Sequence, residues 1–310
     1  MMNKLIEVDV SIIIVNYRTV KLLIEAINSI LEKTRDIVFE IIIVDNHSED
    51  NSLQIIKEYY GDRVIYLSLS ENIGFGRANN EGVKIASGRN ILFLNPDTLL
   101  VNNAIYILSN FLDNHIDCGV VGGNLYSIDL KPTSSHNILF PSIFDELDQA
   151  SKRMLSRLVY GRNTLFNYAN APMEVSFICG ADMMIPKRVL DEVGGFNPDF
   201  FMYYEETELS YRIKQAGYKI MNVPFAKIIH LEGQSIMQSE SREYQSLLSR
   251  RIYFNKVYSK CYIFFADKIY LTITAVAFIV SVLLGLDIYK KKLKQRYRLI
   301  LKVQKESRAR

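Results

Sequence analysis

Cysteine is scarce in this chain. Cys118, Cys179 and Cys261 share no metal-ligand spacing and make an odd count. That argues against a disulfide framework or a zinc module and points to a reduced, cytosolic setting. Net charge is also small. A formal value of +3 gives no general affinity for nucleic acid. Residues 1–8 are charged and lack the apolar region of a secretion signal. No internal repeat or low-complexity tract stands out. No Gly-Lys-Ser/Thr follows a glycine loop, so a Walker loop is excluded. The first apolar run leads into Asn16-Tyr17-Arg18 without a glycine loop, which disfavours a nicotinamide oxidoreductase.

What the chain does have is apolar residues in ordered runs. Hydrophobic residues make up 49% of 310, enough for one large α/β domain or for a domain plus an appendage. The run at 10–15 is β-branched and continuous, as expected for a strand buried on both faces. Helical patterns at about 20–32, 52–59 and 77–86 alternate with apolar runs at 39–44, 64–67 and 90–94. This order predicts a mostly parallel sheet with helices on both faces. Ligands in such sheets bind beyond the carboxyl ends of the strands. Those ends carry Asn16-Tyr17-Arg18, Asp45-Asn46-His47-Ser48 and Asn95-Pro96-Asp97-Thr98.

Further along, periodicity weakens. Residues 131–171 read as an irregular insertion that covers a site. Regular structure resumes with a strand at 175–178 and a helix at 186–193. Then come the turn Gly194-Gly195-Phe196-Asn197-Pro198 and a helix over 209–216.

Four stretches suggest chemistry. Asp45 at a strand end can accept hydrogen bonds from a nucleobase or ribose, although Asp-Asn-His-Ser is also good turn chemistry. The loop from Glu71 to Asn80 holds Asn72, Gly74, Gly76, Arg77 and Asn79. Its glycines allow close backbone approach, and a helix N-terminus suits phosphate. Asp97 can bind a divalent cation, or simply end a strand in a turn. His230 follows the apolar pair Ile228-Ile229, where it is either structural or a ligand. After the aromatic run Phe200-Phe201-Met202-Tyr203-Tyr204 come Glu205, Glu206 and Glu208. These acids either favour a helix N-terminus or present a general base.

Taken in order, these stretches resemble the family-2 glycosyltransferases of GT-A fold. Ser11 to Tyr17, Val44-Asp45-Asn46, the Glu71–Asn80 loop and Phe93 to Asp97 carry the first half of the resemblance. Gly180-Ala181, Gly194 to Asn197, Phe201 to Glu206, and His230 with Gly233 and Ser235 complete it. It spans about residues 8–260 and is greatest toward the rhamnosyltransferase-like branch. The implied donor-binding set is Asn16, Asp45, Asn72, Gly74, Arg77, Asn79 and Asp97, with Asp45 on the nucleoside base. Asp97 and His230 would hold Mg²⁺ or Mn²⁺. Glu206 would be the catalytic base of an inverting transfer.

Two positions depart from the family pattern. Asn95 stands for the first Asp of the Asp-x-Asp metal motif, which lowers the expected metal affinity. Glu205-Glu206-Thr207-Glu208 stands where relatives have Glu-Asp followed two residues later by Asp. The extra methylene moves the carboxylate outward by about 1.5 Å, which makes Glu205 a rival to Glu206.

The resemblance implies a nucleotide-sugar donor, with dTDP-rhamnose favoured and a UDP-hexose as the alternative. The acceptor would be a glycan or a lipid-linked sugar of a surface polysaccharide. A non-catalytic sugar-binding module with the same fold is the reading outside the enzyme class. The expected organisation is a catalytic domain over 1–260, with a nucleotide-sugar half at about 8–126 and an acceptor half at about 127–260. A membrane-associating segment would occupy 261–310. Residues 269–286 carry no formal charge and are long enough to cross a bilayer. Ten Lys and Arg follow Asp287, against Glu306 alone. With a cytosolic domain, a crossing would put those cations outside, against the positive-inside tendency. An interfacial helix at the cytoplasmic face, with its basic tail on anionic head groups, is therefore favoured over a spanning or buried one. Homo-oligomerisation is left open.

Overall fold

A computed structural model describes residues 7–231 and 239–309. Gly233 and Ser235, which belong to the His230 stretch, lie outside the described residues. The first half of the fold opens with β1 (Val10–Asn16), α1 (Val20–Lys33), β2 (Phe39–Asp45) and α2 (Ser52–Tyr60). It continues with β3 (Ile65–Ser68), α3 (Phe75–Ile85) and β4 (Asn90–Leu94). These four strands are parallel, in the spatial order β3-β2-β1-β4. Register places Asn16 beside Asp45, and Asp45 beside Ser68. β1 is buried along its whole length, as its β-branched run requires. Ile12 and Ile14 face one core layer, Ile13 and Val15 the other, the period-2 alternation of a strand.

The chain continues through β5 (Thr98–Leu100), α4 (Ala104–Asn114) and β6 (Cys118–Tyr126). Then follow β7 (His136–Asn137), α5 (Ile143–Ala150), α6 (Met154–Tyr160), β8 (Met173–Glu174) and β9 (Phe177–Ile178). The stretch expected to be irregular therefore holds two helices. Ser142 caps α5 by accepting a hydrogen bond from the Asp145 N–H at 3.1 Å, the usual N-cap arrangement. Of the strand expected at 175–178 only Phe177–Ile178 is a strand, β9, paired with β7; β8, just before it, pairs with β11 of the main sheet.

β10 (Asp182–Pro186) runs antiparallel between β4 and β6, making the nine-stranded sheet mixed. The excursion through α5 and α6 returns the chain to the carboxyl rim, so β10 starts opposite Leu94 and runs back. α7 (Lys187–Val193), α8 (Glu205–Gln215) and β11 (Lys219–His230) follow. β11 pairs parallel to β6 and antiparallel to β5.

Three helices close the chain: α9 (Ser239–Val257), α10 (Lys260–Leu283) and α11 (Asp287–Ala309). Ile263 and Ala266 of α10 pack with Phe200, Tyr253 and Phe254. The basic stretch is helical. It turns back at Gly285 (φ 67°) and packs along α10 and α9, where Leu299, Ile300 and Val303 meet Leu247. The apolar window of α10 is only 17% buried.

Candidate active site

At the carboxyl rim, Asn16 and Asp45 stand side by side. Asn16 Nδ2 donates to Asp45 Oδ1 at 2.7 Å and to Ser48 Oγ at 3.0 Å. The Ser48 backbone N–H donates to Asp45 Oδ2 at 3.1 Å, and the Ser48 hydroxyl donates to Oδ1 at 2.5 Å. Asp45 is thus buried yet held rigidly, with acceptor capacity left, since a carboxylate has about four lone-pair sites. Ser48 was not expected here. Its signal is the Asp-x-x-Ser spacing, which closes a local turn.

The loop before α3 is shaped from within. Asn46 Nδ2 donates to Asn72 Oδ1 at 3.0 Å, and Asn72 Oδ1 also accepts from the Gly74 N–H at 3.1 Å. Asn46 Oδ1 accepts from the Ile73 N–H at 3.0 Å. Asn79 Nδ2 donates to the Phe75 carbonyl at 3.1 Å, and Arg77 Nε to the Pro198 carbonyl at 2.6 Å. Asn72, Arg77 and Asn79 therefore set the loop's form and its docking on the aromatic segment. Gly74 has φ 89° and ψ 168°, a region only glycine occupies readily.

Asp97 and His230 come together because β5 pairs with β11. Thr98 is in register with His230, and the Leu231 N–H donates to the Asp97 carbonyl at 2.9 Å. His230 Nε2 lies 3.4 Å from Asp97 Oδ1, and both side chains are largely buried. One carboxylate and one imidazole are suitable donors for Mg²⁺ or Mn²⁺. Among the described residues no group of three His, Cys, Asp or Glu could hold a metal. A divalent cation on this pair would take its remaining ligands from donor and water oxygens.

The acidic cluster begins α8. Tyr203 and Tyr204 both sit at positive φ, 70° and 66°. For bulky residues this is strain of the kind that gathers at functional sites. The Phe75 N–H donates to the Phe201 carbonyl at 2.9 Å, tying the loop before α3 to this segment. Glu208 takes no part in the site, because Arg212 Nε is 3.0 Å from both of its carboxylate oxygens. Arg212 also donates to the carbonyls of Val193 and Gly195. Glu205 is buried, and its Oε2 has no hydrogen-bond partner among the described residues. Burial, and then the neighbouring Glu206 charge, push its carboxyl well above the ordinary range. Glu206 is partly exposed. Burial raises its pKa as well, opposed by hydrogen bonds from its own backbone and from Thr207. The Thr207 hydroxyl donates to Glu206 Oε1 at 3.1 Å.

Gly180 and Ala181 join the two ends of the site. A Cβ at Gly180 would lie 3.5 Å from the Glu206 side chain. The Asn95 N–H donates to the Ala181 carbonyl at 3.0 Å. One short segment thus touches both the Glu206 side and the Asn95–Asp97 side.

A sequence model described as glycosyl transferase family 2 matches residues 11–194, more than half of the chain. The chain belongs to glycosyl transferase family 2. A second model, glycosyl transferase family group 2, matches residues 138–286. Among relatives, the low-salt glycan biosynthesis hexosyltransferase Agl10 of Haloferax volcanii is 25% identical over 264 residues, 81% of this chain and 77% of that protein. Other curated relatives are longer, and the chain spans 47% and 41% of two of them.

The family fold is GT-A-like. GalNAc-T7, solved with UDP, GalNAc and Mn²⁺, superposes with TM-score 0.62 at 17% identity, over 96% of this chain and 56% of that one. The mannosyltransferase PcManGT of Pyrobaculum calidifontis, solved with GDP-Man and Mn²⁺, gives 0.60 at 14% identity, over 96% and 86%.

Proposed function

We propose that this family-2 member is an inverting glycosyltransferase of surface-polysaccharide synthesis. It would move a sugar from a nucleotide-diphosphate donor to a hydroxyl of a glycan or lipid-linked acceptor. The observation that carries this reading is the Gly180–Ala181 bridge between Glu206 and the Asn95–Asp97 rim. A carboxylate for the acceptor and a donor-side acid then share one crevice.

Asn16 and Asp45 hold the nucleoside, with Asn72, Gly74, Arg77 and Asn79 framing the loop beside it. Glu206 is the general base, because it is the partly exposed member of the pair. A sugar hydroxyl is a poor nucleophile, so its proton passes to the Glu206 carboxylate as the new bond to the anomeric carbon forms. The bond to the diphosphate oxygen breaks on the opposite face, which inverts the anomeric centre. A raised carboxyl pKa makes Glu206 a stronger base than an exposed glutamate. Glu205, buried behind it, is pushed toward its neutral form by burial and then by the Glu206 charge. A Mg²⁺ or Mn²⁺ on Asp97 and His230 would neutralise charge gathering on the leaving diphosphate.

dTDP-rhamnose is the donor favoured by the sequence resemblance. A UDP-hexose is the second reading; GalNAc-T7, of the same fold, is solved with UDP. Residues 1–260 form the catalytic unit, and 261–310 associate with the cytoplasmic face of the membrane. At the turn between α10 and α11, Leu283 is 79% exposed, and Lys290, Lys291 and Lys292 lie in the first turns of α11, after Asp287. An apolar tip backed by cations suits insertion of the hairpin at a head-group interface.

The test is donor binding and hydrolysis across a panel of nucleotide sugars, with Mn²⁺ or with EDTA. Metal-dependent binding of one donor, with slow hydrolysis, is expected. Binding of none under either condition would leave a non-catalytic module of the same fold.

A further inference from the structure

Outside the catalytic rim, the least expected surface is that of α5 and α6. Its acids all turn inward. Asp145 Oδ1 lies 2.7 Å and Asp148 Oδ2 3.5 Å from Arg153. Glu146 accepts from Arg250 Nε at 2.7 Å. What remains outside over residues 142–163 is chiefly apolar and cationic, with Gln149 the neutral polar exception. Leu158 is 85% and Val159 75% exposed, with Phe144, Met154 and Leu155 also open. The exposed charges there are Lys152, Arg157 and Arg162 alone. So much exposed apolar surface in one place marks an interaction site.

The segment is joined to the C-terminal helices. The Ile143 N–H donates to the Tyr262 hydroxyl of α10 at 2.9 Å, and the Tyr258 hydroxyl to the Pro141 carbonyl at 2.7 Å. Beyond Tyr262, Phe264 and Phe265 of α10 are exposed in turn. Behind α5, Ile143 packs with Tyr204 and Tyr211, on the segment that presents Glu205 and Glu206.

We propose that the α5–α6 face is a second membrane contact, which lays its apolar side chains into the interface of an anionic bilayer. This rests on the reading of the α10–α11 hairpin as membrane-associating. Apolar side chains ringed by cations, with no outward acid, match a surface of acyl chains beneath anionic head groups. A second copy of the chain meets that chemistry poorly, because a two-fold contact would set Arg157 and Arg162 against their own kind. Two contacts, one on the hairpin and one beside α8, would hold the Glu206 end of the crevice near the head groups, where a lipid-linked acceptor presents its hydroxyl.

The experiment is co-sedimentation of the full chain with phosphatidylcholine vesicles and with vesicles containing phosphatidylglycerol. Nucleotide binding and circular dichroism are read in parallel, so a failed donor assay stays separate from a failed membrane contact. Wild type is expected to prefer the anionic vesicles and to lose affinity as salt rises. Leu158→Glu with Val159→Glu should weaken that binding by about tenfold or more with the circular dichroism unchanged. Arg157→Gln with Arg162→Gln should reduce the preference for phosphatidylglycerol. The proposal is overturned if the Leu158/Val159 variant binds anionic vesicles as tightly as wild type. It is also overturned if that variant changes the oligomeric state and leaves vesicle binding intact. Leu283→Glu with Leu284→Glu separates the two contacts: binding lost there but kept in the α6 variant leaves the hairpin reading standing alone.

Discussion

The backbone of Gly74 lies directly against the carbonyl of Phe201. A Cβ on residue 74 would overlap that oxygen and stand 2.9 Å from Phe201 Cδ2. The contact joins the loop before α3 to the segment that presents the acids. Gly74→Ala should therefore cost about 1–3 kcal/mol from backbone strain alone, and more from the overlap. The denaturation midpoint reads the first effect. A drop in donor affinity at a temperature where the variant is folded reads the second.

Glu205 gives a stability prediction with a definite sign. Its folded pKa is raised, chiefly by burial and next by the Glu206 charge. Its contribution to stability is fully present below the unfolded value and is lost as pH rises through the folded one. Glu205→Gln removes that titration. The variant should gain stability over wild type at alkaline pH, and the gain should vanish in acid. Denaturation midpoints across the pH range check this. A gain independent of pH would contradict the buried, proton-holding role.

Asp97 and His230 are separable from the base. Asp97→Asn should weaken Mn²⁺-dependent donor binding by about tenfold or more and leave metal-free binding unchanged. Titration of Mn²⁺ against donor-binding fluorescence checks it. An unaltered metal response would remove Asp97 from the metal site.

Arg250 is the latch between the catalytic body and the C-terminal helices. It bonds Glu146 of α5, and its guanidinium lies 4.1 Å from the Phe254 ring centroid and 4.5 Å from that of Tyr270. Burial pushes the Glu146 carboxyl up to about 7 against the pull of Arg250. Glu146→Ala leaves the buried guanidinium with Asp267, 3.6 Å away, as its remaining carboxylate, a loss of about 1–3 kcal/mol. Chemical denaturation should show it, and a midpoint shift corresponding to under about 1 kcal/mol would mean the pair behaves as a surface ion pair.

The legible parts of the fold were those whose local pattern and tertiary role agree. The runs in β1, β2 and β4 are buried on both faces, so each reads as a strand without context. β6 was missed because Gly119, Gly122 and Gly123 interrupt its pattern. Those glycines answer to neighbours distant in sequence: a Cβ at Gly123 would stand 2.5 Å from the Ala226 carbonyl oxygen. α6 was missed for the opposite reason. Only its Ser156 is buried, so its apolar residues trace no core stripe. At the site, the acids could be named from sequence but not ranked. Glu208 is withdrawn by Arg212, and Glu205 is sealed from solvent while Glu206 is not. Those distinctions depend on contacts that cross the chain.

The central claim is that Glu206 takes the acceptor proton. The most direct measurement compares Glu206→Gln with wild type in donor affinity and in turnover over pH. Donor affinity should hold while turnover falls by about 10²-fold or more. The acid limb of the wild-type profile should lie above the ordinary glutamate range, since burial raises the Glu206 pKa, and the variant should lose that limb. Turnover equal to wild type in Glu206→Gln, with the limb unchanged, would contradict the account.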